Sequence, residues 1–162
     1  MNRRRFIITL AGITSVTLLA PRLLLSAEER QAAIEKITKS EAEWKRVLTP
    51  EQFEILREDG TEPAFSSPLN DEKRKGTYVC AGCALPLFTS EMKYDSGTGW
   101  PSFTTTLPGA VETSLDFKLI WPRTEYHCAR CEGHQGHVFD DGPPPTGKRW
   151  CNNGLALKFI PA

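Results

Sequence analysis

Five cysteines set the chemistry open to this chain of 162 residues. Four fall into two C-x-x-C pairs, Cys80-Ala81-Gly82-Cys83 and Cys128-Ala129-Arg130-Cys131, with 44 residues between them. Such a pair can present two thiolates on one side of a tight turn. Two of these turns complete a tetrahedral four-sulfur site suited to zinc. One pair alone is ambiguous between redox and metal chemistry; two in one small domain point to metal. Gly82 and Gly133 are expected to supply the backbone freedom of the turns. Two disulfides are the alternative, open to a protein in an oxidising compartment. A thioredoxin-like redox pair fits less well, because neither pair lies between a strand and a helix. Four thiolates leave no open coordination position, so the zinc would be structural.

The fifth, Cys151, stands in the stretch 133–154, GHQGHVFDDGPPPTGKRWCNNG. Arg149 precedes it by two residues, Asn153 follows by two, and His134 and His137 lie across a Pro-rich turn. A lone cysteine is often an inert core residue. The setting argues for more: a nearby cation lowers a thiol pKa, and the thiolate is the reacting species. Cys151 is therefore a candidate nucleophile with Arg149 helping to stabilise its charge. Imidazole is the side chain whose ordinary titration falls near neutrality, so His134 and His137 are candidates to place water or deliver protons. Asp141 is expected to brace Arg149. Trp100 and Phe139 offer flat apolar walls, whereas Trp44, Trp121 and Trp150 are assigned to the core.

These residues need elements to hold them. Ser40-x-x-Glu43 is a capping box opening a short helix with Trp44, Val47 and Leu48. Thr49-Pro50-Glu51-Gln52 repeats the device, with Phe53, Ile55 and Leu56 as a buried stripe and Gly60 as the stop. From Gly76 onward, short β-prone runs alternate with turn residues, at 77–80, 85–88, 111–114, 117–121, 125–128, 137–139 and 155–160. Short strands between Gly and Pro clusters predict a mainly β, antiparallel domain with small N-terminal helices.

The segment 1–27 has a basic head, Arg3-Arg4-Arg5-Phe6, then an apolar stretch ended by Pro21 and Arg22. This order predicts a signal peptide of the twin-arginine type, and hence a periplasmic protein exported already folded. The apolar run is too short for a membrane span, so no stable span is expected after processing. Segment 28–39 is expected as a helical lead-in to the domain at 40–162. Without the leader, 16 basic residues face 20 acidic ones, a net charge of −4. That balance offers no electrostatic footprint for nucleic acid.

With Gly99-Trp100-Pro101-Ser102-Phe103 in view, the chain resembles the methionine-R-sulfoxide reductases of the B type, from about Trp44 to Ile160. Further blocks carry the resemblance: Gly60-Thr61-Glu62, Gly76-Thr77-Tyr78-Val79 leading into the first cysteine pair, His134-Gln135-Gly136-His137-Val138-Phe139, and Arg149-Trp150-Cys151-Asn152-Asn153. The resemblance implies two small antiparallel sheets (a β-tent-like fold) with structural zinc on Cys80, Cys83, Cys128 and Cys131. It implies reduction of the R epimer of methionine sulfoxide, free or in oxidised proteins. Cys151 matches the family nucleophile, and His134, His137 and Asn153 match residues expected to join it in catalysis. Trp100, Phe139, Arg149 and Asp141 match positions that bind substrate.

Three departures stand out. Thr98 occupies a position where many members carry a second redox cysteine, so no free resolving thiol remains. The sulfenic acid left on Cys151 must then be reduced by a thioredoxin-like protein or a small thiol. Gln135 and Asn152 replace residues usually aliphatic, leaving polar groups in need of partners. The leader moves the reductant question to the periplasm. A monomer is expected. The alternatives are a zinc-ribbon-like interaction module with Cys151 as inert core, and a thiol–disulfide oxidoreductase using its C-x-x-C pairs.

Overall fold

The computed structural model describes residues 34–118 and 121–162. The expected signal peptide and residues 28–33 of the expected lead-in lie outside the described residues. Residues 34–39 correct the remainder of that lead-in, for they form no helix. Ile34 and Ile37 alone cannot give a helix an apolar face broad enough to hold it by burial. The segment is held by contacts to the domain instead: the Ile37 N–H donates to the Arg130 carbonyl at 2.7 Å, and Lys36 reaches Glu112 at 2.8 Å.

Helix α1 (Glu41–Val47) and helix α2 (Pro50–Glu58) both start on complete capping boxes, Ser40 with Glu43 and Thr49 with Gln52. Trp44, Phe53, Ile55 and Leu56 are buried. The stop of α2 differs from expectation: Asp59, not Gly60, takes the left-handed conformation at φ 53°, which short polar side chains tolerate. Gly60 then donates its N–H to the Glu54 carbonyl at 3.0 Å.

Nine strands form two antiparallel sheets among the described residues. The first holds β1 (Gly76–Cys80) between β2 (Pro86–Thr89) and β9 (Leu157–Pro161). The second runs in the order β3 (Lys93–Tyr94), β4 (Ser102–Phe103), β8 (Arg149–Asn152), β7 (His134–Phe139), β6 (Arg123–Cys128) and β5 (Val111–Asp116). Residues 117, 118 and 121, expected in a strand, lie in the β5–β6 connection, and 119 and 120 lie outside the described residues. The Asp116 carboxylate accepts the Lys118 N–H at 2.8 Å, and Pro122 has no N–H to offer a ladder. An Asx turn and a proline outweigh apolar composition here.

Aromatic packing holds the core. Phe88 of the first sheet stacks on Phe103 of the second, with centroids 3.9 Å apart and planes 8° apart. Tyr126 meets Trp150 edge-on at 5.0 Å. Truncating a buried Phe of this kind typically costs about 3–5 kcal/mol. Trp44 is buried and Trp150 half-buried as expected, but Trp121 is 80% exposed on the β5–β6 turn. No helix among the described residues is long and apolar enough to cross a membrane.

Candidate active site

The two cysteine pairs form matching knuckles. In the first, Cys80 receives the Ala84 N–H on its carbonyl and donates its own N–H to Leu85; in the second, Cys128 does the same with Glu132 and Gly133. The left-handed residue in each follows the second cysteine, Ala84 at φ 58° and Glu132 at φ 58°. That corrects the assignment of backbone freedom to Gly82 and Gly133. Gly133 matters for space, since a Cβ there would come within 3.0 Å of Leu56.

The four sulfurs lie within 4.8 Å of one another, with Cys80 to Cys131 at 3.6 Å and Cys83 to Cys128 at 3.4 Å. A tetrahedral ion about 2.3 Å from each sulfur needs edges of about 3.8 Å. The set therefore fits one metal ion, and these separations are not those of disulfides.

Cys151 sits in a different environment. Strand β8 pairs with both β4 and β7, so Cys151 faces Ser102 on one side and His137 on the other. Gly136 lets the strands close, because a Cβ there would meet the Cys151 carbonyl at 2.0 Å. The half-buried thiol lines a cavity of about 120 Å³ with Trp100, Phe139, His137, Asn153, Thr61 and Arg123. Arg149 lies over the Phe139 ring at 4.3 Å and is gripped by Asp141 through two bonds of 2.8 and 2.9 Å. Asp141 thus braces Arg149, as expected, and neither lines the cavity itself.

Burial pushes the Cys151 thiol above its ordinary value; the Arg149 charge and hydrogen bonds from Thr98 and Arg149 oppose this without cancelling it. Arg149 does favour the thiolate, but loss of water is the larger effect. Thr98 stands on a chain of hydroxyls: Ser96 lies 2.8 Å from Thr98 and 2.8 Å from Ser102.

Each histidine has its own carboxylate. His137 Nε2 is 2.7 Å from Asp116, and His134 Nδ1 is 2.8 Å from Glu125. Desolvation pulls the His137 pKa below its ordinary value, although the Asp116 bond raises it. Asp116 is itself held low, first by the Lys118 N–H and then by His137 and Arg123. Glu125 is held low by His127 and His134. The His134 ring stands 5.5 Å behind that of His137 and does not line the Cys151 cavity; its Nε2 is buried without a partner.

Asn153 is fixed from three directions. Its Oδ1 accepts the Glu62 N–H at 3.0 Å, and its Nδ2 and backbone N–H both donate to the Gln135 carbonyl. Glu62 also accepts Trp100 Nε1 on its carbonyl at 3.0 Å, while its buried carboxylate receives the N–H groups of Gly154 and Leu155. Gln135 and Asn152 find their partners as well. Tyr126 donates its hydroxyl to Asn152 at 2.7 Å, Asn152 donates to the Asn153 carbonyl at 2.8 Å, and Gln135 reaches Cys80 Sγ at 3.5 Å. This buried chain runs from the four-sulfur site to the strand of Cys151.

Sequence reasoning missed Asp116, Arg123, Glu125 and the positioning role of Glu62. The alternation of Arg123, Glu125 and His127 against buried Tyr126 and Cys128 was the signal available for the β6 pair. No local signal marks Asp116, which is set by its pairing opposite Arg123.

A family model of the SelR domain matches residues 48–161. The peptide methionine sulfoxide reductase MsrB of Agrobacterium fabrum is 53% identical over 127 residues, covering 78% of this chain and 94% of that protein. The enzyme of the same name from Methanosarcina barkeri is 51% identical, covering 80% and 89%. The chloroplastic peptide methionine sulfoxide reductase B1 of Arabidopsis thaliana is 54% identical, covering 74% and 60%. With that extent of likeness, the chain belongs to the SelR family of peptide methionine sulfoxide reductases, oxidoreductases that act on sulfur.

Proposed function

We propose that this protein reduces the R epimer of methionine sulfoxide, and that Cys151 is the attacking group. The observation that carries it is a free thiol set in a small cavity walled by Trp100 and Phe139. Sulfur and aromatic faces attract, so the walls suit the methyl and thioether of the substrate. Enzymes that undo this oxidation come as one per epimer.

The Cys151 sulfur attacks the sulfoxide sulfur, the sulfur–oxygen bond breaks, and the substrate leaves as thioether. Oxygen passes to Cys151 as a sulfenic acid, and the proton lost by the thiol balances the one gained by the oxygen. His137, held by Asp116, is placed to donate at that oxygen, while Asn153 and Arg149 fix the substrate and the thiolate. His134 supports His137 from behind. Two equivalents of external thiol then return Cys151 to the thiol and release a disulfide and water. Thr98 offers no sulfur for an internal disulfide, so a thioredoxin-like protein or small thiol acts on Cys151 directly.

The four-sulfur site is assigned to zinc, on the fit of its sulfurs and the softness of its donors. Cys80, Cys83, Cys128 and Cys131 would hold the metal with no position left for substrate, and so would be tied together across the two knuckles. The twin-arginine-like leader supports export of the folded, metal-loaded chain to the periplasm, where it acts as a monomer on oxidised proteins or free methionine-R-sulfoxide.

Separated epimers of N-acetyl-methionine sulfoxide, with dithiothreitol as reductant, test this. Only the R epimer is expected to be consumed, and Cys151→Ser to lose at least about 10³-fold in turnover. Turnover of that variant near the parent's, or equal use of both epimers, would sink the proposal.

A further inference from the structure

The wall of the Cys151 cavity holds a cation whose donors the protein leaves largely unspent. Among the residues that line this cavity, Arg123 alone carries a fixed positive charge. Arg149 lies over the Phe139 ring in the double grip of Asp141, and Lys118 is paired with Asp59 at 2.9 Å; neither lines the cavity. Arg123 also lines a neighbouring hollow of about 370 Å³, so it stands where the two recesses meet.

A guanidinium offers five N–H donors in a planar fork. Among the described residues, Arg123 makes one side-chain hydrogen bond, from Nη2 to Asp116 at 2.6 Å. Its Nε is buried without a partner, so Asp116 takes it by one nitrogen and not through the fork. The side chain remains 30% exposed, which leaves it open to a ligand at the cavity mouth.

We propose that Arg123 binds the main-chain oxygen on the carboxyl side of the oxidised methionine: the carboxylate of a free or C-terminal residue, the carbonyl of one within a chain. The inference rests on the reductase reading above and adds a substrate contact to it. Reach carries it. From the sulfoxide sulfur to the carboxyl carbon, an extended methionine spans about 5 Å. A cavity of about 120 Å³ seats the sulfoxide end against Cys151 and leaves the main chain at its rim. Arg123 is on that rim, and a guanidinium can meet only an acceptor, which excludes the α-nitrogen as its partner. A charged acceptor gains about twice what a neutral one does, so the carboxylate is the stronger of the two ligands.

The test compares the parent protein with Arg123→Met on three substrates of R configuration at sulfur, with dithiothreitol as reductant. N-acetyl-methionine sulfoxide carries the carboxylate, its N-methylamide carries only the carbonyl, and butyl methyl sulfoxide carries neither. Loss of Arg123 also disturbs Asp116 and His137, whose pKa its charge helps to lower. That disturbance falls on all three substrates alike and cancels in ratios of kcat/KM. Relative to butyl methyl sulfoxide, the variant is expected to lose at least about tenfold on the carboxylate and about threefold on the amide. Equal losses on all three substrates would overturn the proposal, as would no loss on any. Should the variant fail to fold, the parent decides alone. Between about 0.05 and about 0.5 M salt, its kcat/KM on the carboxylate should fall severalfold relative to butyl methyl sulfoxide, because a partly exposed ion pair is screened. An identical salt response of the two substrates would equally overturn the proposal. If the parent turns over none of the three, the reductase reading falls and this inference with it; equal losses in the variant remove only the inference.

Discussion

The four knuckle cysteines and Cys151 share a side chain and differ in everything that surrounds it. Each knuckle is built within six residues of chain, by turns whose hydrogen bonds close on the cysteine's own backbone. Cys151 is built by strands far apart in sequence: Thr98 and Trp100 before β4, His137 and Phe139 on β7, Arg149 on its own strand. The knuckles put four sulfurs together so that a metal can be shared. The strands keep one sulfur away from every other, inside a cavity open to a substrate. On the reading proposed above, identical thiols become a structural clamp or a reagent according to whether their neighbours are other thiols or aromatic walls.

The sharpest consequence is that removing one sulfur from each region does opposite things. A structural S4 zinc contributes an apparent ~10–16 kcal/mol in small peptides, as much as a whole domain's stability. Cys128→Ser is therefore expected to abolish the cooperative melting transition and the bound metal together. Cys151→Ser should keep both, with Tm within about 2 °C of the parent, while turnover is lost. Metal analysis and calorimetry on the two variants check this. Metal-free Cys128→Ser that melts like the parent would mean the knuckles do not hold the fold.

The same contrast explains what was legible in the sequence. The capping boxes and both cysteine pairs are local patterns, and each is where its pattern put it. The short strands β3, β4 and β8 carry no such pattern; they exist because their partners are already in place. The cavity itself was visible only as a set of residue types near Cys151. Arg123, which lines it from the far edge, and Asp116, which pairs with Arg123 across β5 and β6 and bonds His137, gave no sign. Trp121 was misassigned because composition alone cannot tell a core tryptophan from one set on a turn by a following proline.

The environment of Cys151 also sets a pH dependence that the knuckles lack. In the proposed chemistry the reacting form pairs a Cys151 thiolate with a protonated His137. Burial holds the thiol above its usual value and the imidazole below its usual value. Between those two values, one fraction rises with pH as fast as the other falls. The kcat/KM is therefore expected to be flat from about neutrality to about pH 9, falling on the acid side and again at high alkalinity. Asp116→Asn removes a group that raises the His137 pKa. The acid limb should move to lower pH and the plateau drop by up to about 10²-fold. Arg149→Met removes a group that lowers the Cys151 pKa, so the alkaline limb should move up and the plateau fall about tenfold for each unit moved. Opposite limbs moving in opposite directions is the signature. A uniform loss with neither limb displaced would show that Asp116 and Arg149 only hold the fold.

The smallest effect lies in the buried chain that joins the two regions. Asn152 accepts the Tyr126 hydroxyl inside the core at 2.7 Å. Asn152→Val would leave that hydroxyl without a partner in a site closed to water. An orphaned buried group of this kind costs about 1–3 kcal/mol. Tyr126→Phe removes the orphan, and replacing both partners by apolar groups of similar shape can be nearly neutral. Adding it to Asn152→Val should therefore recover most of the lost stability, with an interaction energy of at least about 0.5 kcal/mol in denaturant melts of the two single variants and the pair. Gln135 loses only a weak 3.5 Å contact from Asn152 in this series and still reaches Cys80. The metal content should accordingly stay the same in all three variants. Strict additivity would mean that the Tyr126–Asn152 bond carries no stability of its own, and that the polar pair is tolerated in the core without contributing to it.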